Sequence, residues 1–239
     1  KLPSPEELEK RYPPRLLPAG ALVTRVAPSP TGFVHIGGLY ASLISERLAH
    51  QSQGIFILRI EDTDKKREVA GAANLFAAAL AKYNIKVDEG PDENGLEKGN
   101  YGPYKQSDRA AIYQSYIKNL LNQGLAYPCF ATPEELEELR GQQEARGERF
   151  GYYGHFAIWR ERSPEEVSAA LDKGLKPVIR LKSPGNFHNK IIVNDLLIGR
   201  REMPENDQDI VIMKSDGLPT YHFAHAVDDH LMGTTHVIR

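Results

Sequence analysis

The chain lacks several features that would assign it to particular protein classes. Its 239 residues contain a single cysteine, Cys129, which excludes an intramolecular disulfide and is typical of a reducing compartment. No run of about 18 apolar residues is present, which excludes a transmembrane helix, and residues 1–20 have no apolar segment typical of a secretory signal. Neither a Gly-x-Gly-x-x-Gly sequence after a strand nor a Gly-Lys-Ser/Thr sequence occurs. A Rossmann dinucleotide fingerprint and a P-loop are therefore excluded.

The chain also has no excess of charge of one sign. It carries 30 basic and 32 acidic residues, a formal net charge of −2. Domains that bind nucleic acid without specificity are usually strongly basic, so this composition argues against such a binder. It leaves room for a local basic patch that receives one RNA end. Hydrophobic residues make up 41% and charged residues 26%, as in globular proteins, and we expect a cytoplasmic protein with no membrane partner.

The alternation of apolar segments predicts an α/β fold. Strands at 21–26 and 55–60, each followed by a helix, predict a parallel sheet. Residues 88–104, rich in glycine, proline and acidic residues, predict a loop or domain boundary. Helices followed by short β segments come next, before a return to α/β character near residue 215, and this order predicts an inserted domain. The remaining predicted elements are helices at 5–11, 39–50, 68–83, 108–123, 132–146, 163–172 and 222–231, and β segments at 177–182, 190–193, 209–213 and 235–239.

The most informative stretch is residues 23–38, which read VTRVAPSPTGFVHIGG. A short apolar strand enters a loop with two prolines, which ends in His35, Gly37 and Gly38 where a helix is expected. Glycines let the backbone approach phosphate, and the N-terminus of a helix offers free N–H groups. An imidazole can add a hydrogen bond where charge builds up on a phosphate. The stretch indicates a nucleotide site; for the glycine pair alone, a tight strand-to-helix turn is the alternative.

Two other blocks concentrate charged and aromatic residues. Residues 59–64, RIEDTD, follow a predicted parallel strand at the end where ligands bind, although a solvated loop with a local ion pair is the alternative. Residues 214–233 begin with a Ser-Asp-Gly-x-Pro turn signal and contain a cluster of His and Asp residues. His222, His225 and Asp229 can share one helix face, but the His-Glu-x-x-His pattern of zinc sites is absent. We expect no metal there.

Together the three blocks resemble the glutamyl-tRNA synthetases, a branch of the class I aminoacyl-tRNA synthetases. APSPTG followed by HIGG resembles the ATP-binding signature, RIEDTD the second signature, and residues 214–233 a third conserved segment. Most class I enzymes end the first signature with a second histidine, and Gly38 stands there in this chain. The resemblance spans residues 21–239. It implies a Rossmann-like nucleotide-binding fold with an inserted α+β domain that binds the tRNA acceptor stem.

The resemblance also implies a division of the chain into regions. Residues 1–20 would be an N-terminal extension, with a short helix in an otherwise extended leader. The first half of the catalytic domain would be residues 21–105, and the insertion residues 106–214. The second half would begin at residues 215–239. The family's lysine loop and its anticodon-binding domain do not occur within these 239 residues, so we expect this chain alone to be inactive in aminoacylation.

Roles for individual residues follow from the resemblance. Asp62 and Asp64 are expected to be structural. Position 225 is often asparagine in the family, and is histidine here. The residues assigned to ATP are Pro30, Thr31, His35, Gly37 and Gly38, the last three acting in catalysis. Those assigned to glutamate are Arg25 for the γ-carboxylate, Glu61 for the amino group, Arg239 for a substrate carboxylate, and Ala27, Ser29, Tyr221 and His225.

The implied activity is the ATP-dependent ligation of L-glutamate to tRNA(Glu) through a glutamyl-adenylate, by a monomer, with Mg²⁺ accompanying ATP. Zinc-containing members carry a Cys-x-Cys sequence and a further cysteine downstream. Only Cys129 is present here, so we expect no zinc. Two alternatives stay open. One is the paralogue that glutamylates queuosine on tRNA, and the other is a non-catalytic module that binds tRNA or a nucleotide.

Overall fold

The computed structural model describes residues 2–32, 34–64 and 66–238. The chain forms two compact units. The first unit consists of residues 1–116 together with 218–239, and the second unit of residues 117–217. The boundary near residue 117 falls inside a helix, eleven residues beyond the start predicted for the insertion, and the boundary at 217 lies three residues beyond the predicted end. The assignment of these regions to functions stays a prediction.

The elements follow the predicted alternation of helices and strands. In chain order they are α1 (Pro5–Arg11), β1 (Val23–Val26), α2 (Ile36–Gln51), β2 (Ile55–Leu58), α3 (Ala72–Lys82), β3 (Gly90–Pro91), β4 (Glu97–Lys98), α4 (Ala110–Asn122), β5 (Ala126–Cys129), α5 (Pro133–Ala145), α6 (Pro164–Asp172), β6 (Val178–Leu181), β7 (Lys190–Asp195), β8 (Gly199–Pro204), β9 (Val211–Met213) and α7 (Tyr221–Leu231), with 3₁₀ turns at Gln106–Arg109 and Gly154–Phe156.

A parallel βαβ unit forms the centre of the first unit. β1 and β2 pair in parallel, with Val23 opposite Ile55, and α2 is the crossover that parallel neighbours require. Single parallel bridges extend the pairing on both sides, from β1 to His236 and from β2 to Glu89. The parallel α/β arrangement predicted from the sequence is therefore confirmed for this part of the chain.

The core of the first unit lies where α2 and α3 pack on these strands. Residues 56–58 of β2 are fully buried, which explains their uninterrupted apolar sequence. Phe76 and Leu80 of α3 belong to the same cluster. Gly54 permits the close approach of β2 to β1, because a Cβ at this position would stand 1.8 Å from the carbonyl oxygen of Leu22.

The N-terminal segment is packed into the first unit. Ser4 begins α1 with a capping box, as its Ser-Pro-Glu-Glu sequence favours. Leu8 and Tyr12 are buried against α4 and α7. Arg15 donates two hydrogen bonds of 2.8 Å to the carboxylate of Glu89. The expected short helix is present, but the leader is a structural part of the core rather than an extended appendage.

The second unit contains a three-stranded antiparallel sheet in the order β5-β6-β9. Thr132 and Ser163 each make a capping box, and α5 and α6 begin at the prolines that follow them, as predicted. Cys129 is buried in this unit's core beside Tyr152. Its sulfur also accepts a hydrogen bond of 3.4 Å from Nε of Arg180.

Some predicted elements differ from the structure. Residues 88–104, predicted as a loop, contain the short hairpin β3–β4. β7 pairs with β8, and both strands are exposed along their whole length. The strand β8 was not predicted, because its sequence GRREMP shows no apolar alternation. Of the strand predicted at 235–239, the described residues form only a single β-bridge, at His236. The helix α3 begins at Ala72 rather than at residue 68, directly after Gly71, whose φ is 78°.

No helix in the described ranges is long and apolar enough to cross a membrane.

The packing of α1 leads to a stability prediction. Replacing Leu8 by Ala should lower the free energy of unfolding by about 2–5 kcal/mol, because it leaves a cavity at a buried position. Leu16, in the same segment, is fully exposed, and Leu16→Ala should change the free energy by less than about 0.5 kcal/mol. Urea unfolding of the two variants measures both values. Equal effects would show that the segment does not pack as described.

Candidate functional site

The loop after β1 is held in place by the chain that follows β2. The carbonyl oxygen of Pro28 accepts a hydrogen bond of 3.0 Å from the N–H of Glu61, and that of Pro30 accepts one of 2.8 Å from the N–H of Val69. The prolines restrict the backbone as well. The loop is therefore held at Pro28 and at Pro30 by backbone hydrogen bonds.

His35 is the N-cap residue of α2. Its Nδ1 accepts a hydrogen bond of 3.3 Å from the N–H of Gly38. A ring nitrogen that accepts cannot carry the proton, so the neutral ring has its N–H at Nε2, where it can be donated to a ligand. Gly37 lies close under the ring, since a Cβ there would stand 3.2 Å from Nδ1. The helix end thus combines an imidazole donor with free backbone N–H groups, as an anion site requires.

A cavity of about 390 Å³ lies beside this helix end. Its size is within the range of sites for small ligands. Eight residues predicted from the sequence line it: Arg25, Ala27, Ser29, Pro30, Thr31, His35, Gly38 and Tyr221. Three others, Gly37, Glu61 and His225, are not part of its lining, and Arg239 lies outside the described residues.

Arg25 reaches the cavity from β1 although its side chain is largely buried. Its Nε and Nη2 donate hydrogen bonds of 3.2 Å each to the two carboxylate oxygens of Asp229 on α7. A buried arginine needs such a partner, since an unpaired buried charge is costly. The arginine predicted to bind a substrate carboxylate therefore already holds one carboxylate of the chain itself.

Arg59 connects the end of β2 to α7 and is completely buried. Its Nη1 donates a hydrogen bond of 2.7 Å to Asp229, and its Nη2 one of 3.0 Å to Glu61. Nε lies 3.6 Å from Asp228. Burial alone would lower the pKa of Arg59, but the three carboxylates outweigh burial and raise its pKa, so the guanidinium stays charged.

Glu61 and Asp229, the two carboxylates that accept hydrogen bonds from Arg59, have pKa values shifted in opposite directions. Burial raises the pKa of Glu61 above its ordinary value, and Arg59 and Arg25 offset this only in part. Burial acts in the same sense on Asp229, but Arg59 and Arg25 outweigh it there and lower its pKa. Asp229 is therefore the carboxylate that both arginines stabilise as an anion.

Asp228 ties other parts of the first unit to α7. Its carboxylate accepts hydrogen bonds from Arg109 (2.7 Å), Tyr113 (2.8 Å) and Gln106 (2.9 Å), all of them buried. Because it is fully enclosed by these donors, Asp228 has a structural role. It holds α7, and with it Asp229, at a fixed position.

Tyr221 and His225 lie one turn apart on α7 and their rings are in contact, with centroids 4.9 Å apart. Tyr221 lines the cavity, whereas Nδ1 of His225 lies 3.7 Å from Asp229. Over residues 2–32, 34–64 and 66–238, no group of three or more His, Cys, Asp or Glu side chains is arranged to hold a metal ion.

Several contributors to this site were not predicted from the sequence, and Phe76 and Asp229 are two of them. Phe76 of α3 lines the cavity beneath Gly38, and its apolar helical spacing gave no sign of a role beyond the core. Asp229 was considered only as a member of a metal cluster. Charge balance could have identified Asp229, because Arg25 lies within a buried strand, Arg59 directly follows another, and each buried arginine needs a carboxylate.

Comparison with known proteins gives one consistent family. Residues 21–239 match the family model of tRNA synthetases class I (E and Q), catalytic domain. The chain is 56% identical over 236 residues to a glutamate–tRNA ligase of Clostridium perfringens strain 13, covering 99% of this chain and 43% of that protein. It is 55% identical over 228 residues to the glutamate–tRNA ligase of Acetivibrio thermocellus, covering 95% of this chain and 42% of that protein.

A solved structure is also similar. The crystal structure of a glutamate tRNA ligase from Elizabethkingia meningosepticum in complex with its amino acid has a TM-score of 0.80 and 41% sequence identity. The match covers 90% of this chain and 43% of that one. The chain thus spans about two fifths of the length of the relatives that it matches.

The raised pKa of Glu61 predicts a dependence of stability on pH. A carboxyl group whose pKa is higher in the folded chain than the value of about 4.3 in the unfolded chain stabilises the fold most at low pH. That contribution is lost as pH rises through the folded-state pKa. Glu61→Gln does not titrate, so we expect the unfolding free energy of the variant, relative to that of the original chain, to increase from pH 4 to pH 7.

Thermal or urea unfolding at several pH values measures this difference. Glu93→Gln, which changes an exposed carboxylate of the same unit, is the matched control and should show no such trend. A Glu61→Gln variant that loses relative stability as pH rises would contradict the direction given for this pKa.

Proposed function

The chain belongs to the catalytic-domain family of the class I (E and Q) tRNA synthetases, and from this premise we propose that its protein ligates L-glutamate to tRNA(Glu) at the expense of ATP, through a glutamyl-adenylate. The observation that carries the proposal is the lining of one cavity. It contains both the His35-capped N-terminus of α2, suited to phosphate, and the Arg25 guanidinium, suited to a carboxylate. Adenylate formation needs ATP and glutamate in one cavity, and these two groups would hold the phosphates of ATP and the non-reacting γ-carboxylate of glutamate there.

The end of α2 would bind ATP. The N–H groups of Ile36 and Gly37 and the Nε2–H of His35 would donate to the phosphates, and the lack of side chains at Gly37 and Gly38 would let the phosphates come close. Pro30 and Thr31 line the same part of the loop. These donors are in place before the reaction, and such preorganised donors stabilise the charge that develops on the phosphate.

Glutamate would bind where Arg25 lines the same cavity. Arg25, which lines the cavity, would take the γ-carboxylate. The amino group would have to reach Glu61, which is bonded to Arg59 outside the described lining and would accept its hydrogen bonds. The further residues assigned to this ligand are Ala27, Ser29, Tyr221, His225 and Arg239. Once both substrates are held, the α-carboxylate of glutamate attacks the α-phosphate in line and pyrophosphate leaves. The residues act by positioning and electrostatics, and none needs to form a covalent bond.

Mg²⁺ would enter with ATP. Among the described residues that line the cavity there is no carboxylate, so the oxygens of the nucleotide phosphates and water would be its ligands. For zinc, the residues around Cys129 do not fit. The thiol receives a hydrogen bond from the cationic Arg180, and no second cysteine exists in the chain. Stoichiometric zinc in the purified protein would contradict this.

The acceptor end of the tRNA would be bound by the second unit. The exposed ribbon β7–β8 carries basic side chains at Lys190, Arg200 and Arg201 together with exposed apolar ones at its tip. Basic side chains neutralise the charge of RNA phosphates. This surface supports an RNA partner more than a purely nucleotide-binding module.

Two measurements on the complete gene product test the proposal. We expect glutamate-dependent ATP–pyrophosphate exchange and transfer of glutamate to the 3′ end of tRNA(Glu). Exchange without tRNA, with glutamate transferred to a queuosine base, would instead identify the paralogue. Binding of ATP with no exchange under either condition would identify a non-catalytic module.

The cap made by His35 gives a further prediction. His35→Ala removes both the imidazole donor and the cap, whereas His35→Asn keeps a capping oxygen. We expect both variants of the 239-residue chain to bind ATP about 10-fold more weakly, as for the loss of one hydrogen bond to a charged group. Only His35→Ala should also lose about 1 kcal/mol of stability.

Isothermal titration with ATP and urea unfolding separate the two effects. His188→Ala, which removes an exposed imidazole from the second unit, is the control and should change neither value. Undiminished ATP binding in His35→Asn would show that the imidazole does not contact the nucleotide.

A further inference from the structure

The ion pairs behind the cavity include one acidic residue to which the roles given above assign no function. Asp229, on α7, is bonded to both Arg25 and Arg59. We propose that Asp229 is a positioning residue, which fixes the face that Arg25 presents to the side-chain carboxylate of the amino-acid substrate. This inference rests on the proposed function and adds a residue that determines the choice between glutamate and uncharged amino acids.

The geometry of Arg25 defines what Asp229 does. A guanidinium has five N–H groups in one plane. Asp229 occupies the edge formed by Nε and Nη2, with both hydrogen bonds at 3.2 Å. Nη1 has no hydrogen-bond partner in the part of the chain that the structure describes, and Arg25 lines the cavity. The end-on edge of the guanidinium, Nη1 with the outer N–H of Nη2, is therefore kept available for a bidentate contact with a second carboxylate.

Asp229 is itself held in place. Arg59 donates a hydrogen bond of 2.7 Å to Oδ1, and the hydroxyl of Thr234 donates one of 3.4 Å to the same oxygen. Through its other terminal nitrogen Arg59 holds Glu61 at 3.0 Å. One buried guanidinium thus fixes both the carboxylate that orients Arg25 and the carboxylate expected to receive the substrate's amino group. The distance between the two recognition points is set by this network.

Removing the charge of Asp229 should disorganise both recognition points. Arg25 and Arg59 would then be two positive charges close together without the carboxylate that both of them bond. The charge of Arg25 already acts on Glu61, so Glu61 is the next anion to which Arg25 can turn. Arg25 would withdraw its end-on edge from the cavity and occupy the acceptor meant for an ammonium group.

The test uses Asp229→Asn in the 239-residue chain and three probes: ATP, the non-hydrolysable glutamyl-sulfamoyl-adenosine, and its glutaminyl counterpart. By isothermal titration we expect the variant to bind the glutamyl probe about 10- to 100-fold more weakly, the range for loss of a charge-assisted contact. ATP affinity should stay within about 3-fold, and the preference for the glutamyl over the glutaminyl probe should narrow. Unchanged or tighter binding of the glutamyl probe would overturn the inference.

A double-mutant cycle distinguishes positioning from a general structural role. In a chain that already carries Arg25→Met, Asp229→Asn should hardly change the affinity for the glutamyl probe further, because Asp229 acts on the substrate through Arg25. An equal loss in both backgrounds, or a loss for all three probes, would show a merely structural role. Asp88→Asn is the control: it removes a carboxylate bonded to His50 and to the N–H of Phe56, and should leave the preference unchanged.

Circular dichroism verifies that each variant is folded. If Asp229→Asn is not, Asp229→Glu keeps the charge but displaces it by one methylene. Asp229→Glu should then weaken binding of the glutamyl probe, and of no other probe, by about 3- to 10-fold, as for the loss of part of a charge-assisted contact. An unaltered affinity for the glutamyl probe would again overturn the inference. If the original chain shows no preference for the glutamyl probe, the proposed function fails, and the inference fails with it. A preference that survives in Asp229→Asn contradicts the inference alone.

Discussion

The completely buried guanidinium of Arg59 is the interaction on which the site depends. A charge without solvent is tolerated only where its partners are all in place, and the partners of Arg59 come from two distant parts of the chain. Glu61 lies two residues after Arg59, just beyond the end of β2, while Asp229 lies on α7, 170 residues after Arg59. The end of β2 and the face of α7 must therefore meet correctly for the fold to be stable, and the same meeting builds one wall of the cavity.

This arrangement accounts for a charged network where apolar residues could have packed. Replacing buried ion pairs by apolar groups is often neutral or stabilising, so the network is poorly explained by stability alone. The raised pKa of Glu61 points the same way, since its ionised form is less favourable in the folded chain than in water. The network is explained if it keeps Arg25 and Glu61 oriented toward a ligand with a carboxylate at one end and an ammonium at the other.

Local features could be predicted from the sequence, and contacts between distant segments could not. The Ser/Thr-Pro-Glu-Glu boxes fixed the starts of α5 and α6, and the His35 region predicted the loop and helix that line the cavity. The pairing of Arg25 with Asp229 has no local signal, because it joins β1 to α7 through the folded core. β8 was missed for a similar reason: its pairing with β7, and not its own charged sequence, makes it a strand.

The departure of this chain from the usual signature concerns Gly38, where most class I enzymes have a second histidine. A Cβ at this position would stand 3.5 Å from the ring of Phe76, which is ordinary contact, and the residue lies inside α2 with a helical backbone. Packing therefore does not require glycine. What position 38 supplies is its N–H, bonded to Nδ1 of His35, and this bond sets the proton of the imidazole at Nε2. The orientation of the one imidazole thus depends on the helix that it caps and on no second side chain at position 38.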